Sequence, residues 1–152
     1  MPERTNLDLT QTSYWVVAID PQDYDYDRLE RDTSKAWSCV NDYASQKYLG
    51  DMKNEDLAFL LSSGDEPALV AIVKLASDPY PDPNGEDPEQ MVIEIEPERR
   101  LEAPVSLEEL SDDPAFQDWD LVSMPDLQVA PVPPDLWEKI LERSRVGVGA
   151  GR

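Results

Sequence analysis

Residues 37–63 read WSCVNDYASQKYLGDMKNEDLAFLLSS, and the rest of the chain is organised around this stretch. From Asn41 onward, large apolar side chains recur at near-helical spacing, which predicts an amphipathic helix with one buried side. Asn41 or Asp42 can cap the start of that helix, because short polar side chains accept hydrogen bonds from its unpaired N–H groups. Gly50 allows a turn, and the apolar run at 57–62 then has the length of a buried strand. The buried side of the helix is predicted to carry Tyr43, Tyr48, Leu49 and Met52.

Apolar runs on both sides of this stretch predict further strands. YWVVAI at 14–19 is rich in aromatic and β-branched residues and ends at Asp20-Pro21, where proline removes a backbone donor. ALVAIVKLA at 68–76 is the longest strand candidate, and its apolar residues on both faces indicate a central strand. MVIEIE at 91–96 predicts another strand, and LQVAPV at 127–132 predicts an edge strand, where a proline is tolerated.

Short helices are predicted between and after these strands. DYDYDRLERD at 23–32 can form one, with Tyr24, Tyr26 and Leu29 facing inward. Ser106 and Glu109 have the spacing of a capping box, so a helix is expected to begin there and to stop before Pro114. The segment 115–121 predicts one more helical turn, which packs Phe116 and Trp119. PPDLWEKILERSR at 133–145 predicts the closing helix, with a buried stripe of Leu136, Trp137, Ile140 and Leu141.

The remaining segments are predicted to be loops. Residues 78–88 hold four prolines and one glycine, which predicts a surface loop, and residues 97–104 are expected to be a connector. Strands dispersed among short helices predict an α+β fold with a small curled or barrel-like mixed sheet. We expect one domain over 14–145, between a partly disordered polar lead at 1–13 and a flexible tail at 146–152.

The chain is strongly acidic, with 33 Asp and Glu against 13 Lys and Arg and a formal net charge of −20. A field of that sign repels phosphate backbones at low salt. Two explanations compete. The acidity is either a solvation adaptation to high intracellular salt, which would screen it, or a sign that the partner is not a nucleic acid. The scarcity of lysine relative to arginine favours the first explanation, and the sequence leaves both open.

Composition argues against most kinds of catalysis and against a membrane location. The chain has no His and only Cys39, which excludes a Ser/His/Asp triad and a Cys/His metal cluster. A lone cysteine, expected to be a small buried hydrophobe, and the lack of a signal-peptide core favour a reducing, cytoplasmic compartment. No apolar run is long enough to span a membrane. A Ca²⁺ loop is not expected, because no known spacing is matched by Asp78, Asp82, Asn84, Glu86 and Asp87. We therefore expect no enzyme, no metal and no cofactor.

Several motifs, in order along the chain, resemble those of the EVE domain family, whose PUA-like fold is shared with the YTH readers of methylated RNA. Tyr14-Trp15 opens the domain as in the family, and LGDMKNEDL at 49–57 follows the family's Leu-Arg-Asp-Met-Lys-x-Gly-Asp-Leu. The segment 37–46 aligns with the family's Trp-Asp-Gly-Val-Arg-Asn-Tyr-Gln-Ala-Arg and matches it at Trp37, Val40 and Tyr43. YPDP at 80–83, Pro131-Val132 and the start of the closing helix at 137–141 also match.

The resemblance implies a PUA-like fold and a reader that takes a modified base, such as a methylated cytosine, into an aromatic-lined pocket. A base extruded from the stack can lie between aromatic faces while polar groups bind its edge. From the residues themselves, Trp15 and Trp37 could form a wall of a flat-ligand pocket or belong to the core. Carried over position by position, the pocket residues are Trp15, Ile19, Asp20, Trp37, Ser38, Cys39, Asn41, Asp42, Tyr43, Ser62 and Ser63.

The chain also departs from the family at polar positions. The family's Lys-Ser after the first strand is Ala18-Ile19 here, and its two arginines around the first helix are replaced by Asn41 and Gln46. The family's Phe-Tyr-His-Ser is replaced by LLSS at residues 60–63 of this chain. An Arg and a Trp near the last strands align with Asp126 and Gln90. Two functions therefore remain: a modified-base reader with an altered pocket, or a degenerate domain that acts as a protein-interaction or scaffold element.

Overall fold

The computed structural model describes residues 13–22, 24–37, 48–64, 66–81, 83, 91–117, 119–123 and 128–150, with the backbone alone at 120, 123 and 146–150. Seven strands are assigned: β1 Tyr14–Ile19, β2 Lys35–Trp37, β3 Leu57–Ser62, β4 Ala68–Leu75, β5 Tyr80–Pro81, β6 Met91–Ser106 and β7 Val129–Pro131. They form one sheet in the order β2-β6-β4-β3-β1-β7, with β5 paired to β6. β1 and β3 are parallel, and the other pairs are antiparallel. This curled mixed sheet confirms the predicted α+β, PUA-like class.

The helices are short except for the last: α1 Tyr26–Asp32, α2 Leu107–Ser111, a 3-10 turn Pro114–Phe116, α3 Asp120–Ser123 and α4 Pro134–Ala150. The predicted capping box is present, because Ser106 Oγ accepts from Glu109 N at 3.1 Å and Glu109 Oε1 accepts from Ser106 N at 2.9 Å. α1 begins at Tyr26, not at 23, since the Asp25 side chain caps it by accepting from Arg28 N. α4 continues past the predicted end at Arg145.

The prediction of a connector at 97–104 is wrong, because β6 continues through this segment to Ser106. Pro97 pairs with Val73 of β4, whereas the last pair with β2 is Lys35 with Ile95. Beyond Ile95, β6 therefore pairs with β4 alone. A strand with one neighbour tolerates the missing N–H of a proline on its unpaired side. Two register shifts in the β4–β6 ladder accommodate the irregular segment.

The prediction of a loop over 78–88 is partly wrong as well. Tyr80 and Pro81 form β5 and pair with Val92 and Met91 of β6, and the Tyr80 hydroxyl donates to the Glu94 carboxylate. A two-residue edge strand can end in proline, since the pairing stops there. Residues 82 and 84–88 of this segment and residues 1–12 of the predicted lead lie outside the described residues. So do residues 41–47 of the predicted helix, and the described chain resumes with a helical turn at 48 and 49.

The sheet carries a separate core cluster on each face. The first cluster contains Trp15, Trp37 and the inward side chains of α1, and we call this side the Trp15 face. The second lies under α4, and we call it the α4 face. There the Trp137 ring stacks on Phe59 at 4.0 Å and on Tyr14 at 4.3 Å between ring centroids. Alternation along β1 and β3 sends successive side chains to opposite faces, so both strands contribute to both clusters.

We expect Phe59→Ala to lower the free energy of unfolding by about 3–5 kcal/mol, because it leaves a cavity beside Trp137 in a fully buried site. Urea unfolding at constant salt measures the change. Glu138→Ala, at an exposed position of α4, is the control and should shift the free energy by less than about 0.5 kcal/mol. Equal effects of the two variants would contradict the assignment of Phe59 to the centre of this core.

Candidate functional site

Four of the residues expected to line a pocket lie on the Trp15 face. Trp15, Ile19 and Trp37 belong to its core cluster. Ser62 is half-buried and follows Leu60 on β3 by two residues, which places it on the same face as that member of the cluster. The parallel register pairs Ser62 with Ile19, so β1 and β3 contribute neighbouring residues here.

The ends of β1 and β3 meet at one edge of the sheet, since the carboxyl ends of parallel strands lie side by side. Ser63 N donates to the Ile19 carbonyl at 3.0 Å, which continues the ladder past the strands. Asp20 is exposed, and its carboxylate accepts from Gln22 N at 2.9 Å while its carbonyl accepts from Tyr24 N at 3.0 Å. The structure thus brings Ile19, Asp20, Ser62 and Ser63 together.

The indole of Trp15 is fixed by a buried carboxylate that sequence reasoning missed. Asp56 is 2 % exposed, and its two carboxylate oxygens accept three hydrogen bonds at 3.0 Å each. The donors are Trp15 Nε1, Ser13 N and Lys53 N. In a chain with 33 acidic residues two signals single out this one: it directly precedes a buried strand, and it matches the Asp of the motif at 49–57. Trp15 is therefore a core side chain with a satisfied polar edge.

Trp37 ends β2, opposite Ile93 of β6, and is 8 % exposed. The chain leaves this strand directly toward the other residues that the family resemblance assigned to the pocket. Those residues, Ser38, Cys39, Asn41, Asp42 and Tyr43, lie outside the described residues. The structure therefore describes Trp37 as a buried side chain of the Trp15 face, and it brings Ile19 and Ser62 together at the strand ends.

A polar cluster that the sequence did not predict lies next to this edge. The Tyr24 hydroxyl donates to Asp32 Oδ2 at 2.7 Å, and the Lys35 ammonium lies 5.0 Å from the Tyr24 ring centroid. Burial, together with the hydrogen bond to the Asp32 carboxylate and its charge, raises the pKa of Tyr24 to about 12. Tyr24 is half-buried against the Trp15 cluster, as its predicted inward orientation requires.

A concavity lies on the α4 side, between the 3-10 turn and the closing helix. It is an open cleft of about 400 Å³ lined by Asp113, Ala115, Phe116, Lys139, Glu142 and Arg143. The Arg143 guanidinium pairs with Glu109 at 3.2 Å and also with Asp113, so carboxylates already neutralise its charge. None of the predicted pocket residues that the structure describes lines this cleft.

Within the described residues no group of three or more His, Cys, Asp and Glu is arranged to hold a metal ion. Of the five loop residues considered above for Ca²⁺, Asp78 alone is described, and its carboxylate accepts from Asn54 N at 2.9 Å. No helix of the described residues is both long and apolar enough to cross a membrane.

Comparison with known proteins shows which family model and which solved structures this chain resembles. The model of the EVE domain family matches residues 13–143, whereas no curated protein matches the sequence. An NMR structure of a Rhodopseudomonas palustris protein is similar with a TM-score of 0.82 and 23% identity, over 89% of this chain and 94% of that one.

Two of the similar structures hold nucleic acid. Human THYN1, in complex with DNA that contains 5-methylcytosine, has a TM-score of 0.78 and 18% identity, over 88% of this chain and 98% of that one. The YTH domain of the Zygosaccharomyces rouxii MRB1 protein, in complex with N6-methyladenosine RNA, has a TM-score of 0.55 and 13% identity, over 89% and 88%. At these identities the likeness establishes the fold.

Asp56→Ala should lower the free energy of unfolding by about 3 kcal/mol or more, because it leaves three donors without an acceptor at a buried site. Asp56→Asn, which keeps one acceptor oxygen, should cost less. Urea unfolding monitored by far-UV circular dichroism measures both, with Asp51→Ala as an exposed control. A loss for Asp56→Ala no larger than the control's would refute the role of this carboxylate.

Tyr24 should lose its proton only at about pH 12 in the folded protein, against an ordinary value of about 10. Since the folded-state pKa is raised, the stability that Tyr24 contributes is complete below pH 10 and is lost as pH rises from 10 through 12. Asp32→Asn should lower the Tyr24 pKa without restoring 10, because burial is the larger cause. NMR titration of ring-labelled tyrosine measures this, and a wild-type pKa near 10 would contradict the hydrogen-bonded geometry.

Proposed function

The chain belongs to the EVE domain family, and from this premise we propose that it is a non-enzymatic module that binds nucleic acid by taking a modified base into a pocket. The observation that carries the proposal is the common face of Trp15, Ile19, Trp37 and Ser62, on which Ile19 and Ser62 lie side by side at the ends of the two parallel strands. The described part of the chain offers side chains suited to stacking and hydrogen bonding, which is the chemistry of base recognition.

The nature of the ligand is argued from what the similar structures hold. One holds 5-methylcytosine DNA and the other N6-methyladenosine RNA. The sugar and the parent base differ between these two ligands, and a methylated base is common to both. We therefore propose a modified base of DNA or RNA as the ligand class, with the polymer type left to experiment.

The proposed pocket uses Trp37 as its aromatic floor. Ile19 supplies an apolar contact. The hydroxyls of Ser62 and Ser63 can donate to or accept from polar atoms of the base, while Ser63 N bonds to the Ile19 carbonyl. Trp15 supports the floor from within the core. The other proposed members are Asp20, Ser38, Cys39, Asn41, Asp42 and Tyr43, of which Asn41 and Asp42 have the donors and acceptors to bind the base edge.

The net charge of −20 restricts how such a module can bind. Phosphate contacts lose strength as salt rises, whereas stacking and base-edge hydrogen bonds inside a pocket depend little on ionic strength. A reader whose affinity lies in the pocket can therefore work in a cytoplasm of high salt, where its own negative field is screened. The single cysteine agrees with such a reducing compartment.

The second candidate is a degenerate EVE domain that acts in protein interaction or as a scaffold. It is favoured by the replacement of basic or imidazole residues of the family at Ala18, Asn41, Gln46, Ser62 and Asp126. Five such losses weaken phosphate binding in particular. A titration of the folded protein decides between the two candidates.

The test is a binding titration against labelled single- and double-stranded oligonucleotides, with and without 5-methylcytosine or N6-methyladenine, at low and at molar salt. We expect base-selective binding that survives molar salt. If the folded protein binds no modified base at any salt, the reader proposal fails and the scaffold candidate takes its place.

A pocket variant provides the residue-level prediction. Ser62→Phe should fill the space at the edge of β3 and lower affinity for the modified oligonucleotide at least about tenfold, because a base and a phenyl ring cannot share one site. Trp37→Ala should abolish binding, although a truncated buried aromatic also costs stability, so its fold must be checked by circular dichroism. Lys139→Gln, on α4, is the matched control, and an unaffected Ser62→Phe would contradict this placement of the pocket.

A further inference from the structure

Lys35 is an exposed cation that contacts an aromatic ring instead of a carboxylate. Its ammonium lies 5.0 Å from the Tyr24 ring centroid, and within the described residues it forms no ion pair. Three other described cations are neutralised by carboxylates: Lys74 pairs with Glu55, Arg100 with Asp27 and Glu30, and Arg143 with Glu109 and Asp113. A cation–π contact orients the ammonium without cancelling its charge.

Strand geometry places Lys35 close to the proposed pocket. Lys35 and Trp37 are two residues apart on β2, so their side chains emerge on the same face, roughly 7 Å apart along the strand. Their partners on β6, Ile95 and Ile93, both belong to the core cluster of the Trp15 face. Trp37 is buried in that cluster and Lys35 is exposed, so Lys35 lies at the rim of the face whose floor is Trp37.

The ring under Lys35 is fixed at three points. The Tyr24 hydroxyl donates to Asp32 at 2.7 Å, its backbone N donates to the Asp20 carbonyl at 3.0 Å, and the ring packs against the Trp15 cluster. Asp20 is itself a member of the proposed pocket. The ring that the Lys35 ammonium contacts is therefore tied to the edge where β1 ends.

Building on the proposed function, we propose that Lys35 binds the phosphate of the nucleotide whose base enters the pocket. A nucleotide carries its phosphate a few ångströms from its base, so a cation at the rim can meet the phosphate when the base lies on the floor. In a chain of net charge −20, one positioned positive charge offsets local repulsion of that phosphate. Tyr24 is the positioning residue, because it acts through Lys35.

The experiment compares wild type, Lys35→Gln and Lys139→Gln by isothermal titration at about 50 mM and 1 M KCl. The ligands are 5-methylcytidine and N6-methyladenosine, each also as its 5′-monophosphate. At low salt wild type should prefer the monophosphate by about threefold to tenfold, the range of a partly exposed charge pair. Lys35→Gln should remove this preference and keep the nucleoside affinity, and Lys139→Gln should change neither.

The salt dependence provides a second readout. For a short single strand that contains the modified base, Lys35→Gln should reduce the slope of log affinity against log salt by about one phosphate contact. Lys35 is exposed, so thermal unfolding of the variant should match wild type, and a match excludes misfolding as the cause.

The outcomes separate this inference from the function on which it rests. If wild type binds none of the nucleosides, nucleotides or the strand, both the reader function and the role of Lys35 fall. If wild type binds and Lys35→Gln keeps the monophosphate preference, the role of Lys35 alone is overturned. Loss of nucleoside affinity in Lys35→Gln would also overturn it, because the side chain would then act on the base and not on the phosphate.

Discussion

The buried carboxylate of Asp56 is the interaction on which the rest of the structure depends. Two parallel neighbours cannot be joined by a tight turn, so the register of β1 and β3 needs an independent constraint. Asp56 supplies one, because it binds Ser13 N just before β1, the Trp15 indole within β1 and Lys53 N just before β3. With the starts of the two strands joined in this way, their far ends bring Ile19 beside Ser62. The geometry of the candidate site thus depends on a contact at the opposite end of the strands.

The two faces of the sheet are covered by different parts of the chain. On the α4 face, Trp137 stacks between Phe59 and Tyr14, and Arg143 joins the closing helix to Glu109 of the capping box. Aromatic stacking and apolar burial of this kind are a large, salt-insensitive part of the folding free energy. The Trp15 face is covered by α1 and by the turn at 48–52, and its strand ends remain accessible at Ser62 and Asp20. Both faces therefore contribute apolar burial to the folding free energy.

Electrostatics in this chain acts locally against a strongly negative background. Most acidic side chains are solvated, and those near cations pair with them, as Glu55 does with Lys74 and Asp27 does with Arg100. At high salt the long-range field shortens to a few ångströms, so a cation matters chiefly where it is positioned. The contact of Lys35 with Tyr24 is positioned in this sense, because the Tyr24 hydroxyl is held by its hydrogen bond to Asp32. Binding by stacking with one local charge is consistent with such a surface.

The sequence by itself determined the elements whose signals are local. Apolar runs predicted β1, β3 and β4, and the Ser106–Glu109 spacing predicted a capping box. The family motifs indicated Trp15 and Trp37 as candidate site residues. The tertiary structure decided everything that depends on distant neighbours. β6 continues through Pro97, where it pairs with β4 and no longer with β2. Asp56 can be buried because three donors from separate segments bind its carboxylate. Local sequence patterns report the propensity and amphipathicity of single elements. Whether a proline is tolerated in a strand, whether a carboxylate is buried and whether Tyr24 contacts Lys35 depend instead on which strands pair in the folded chain.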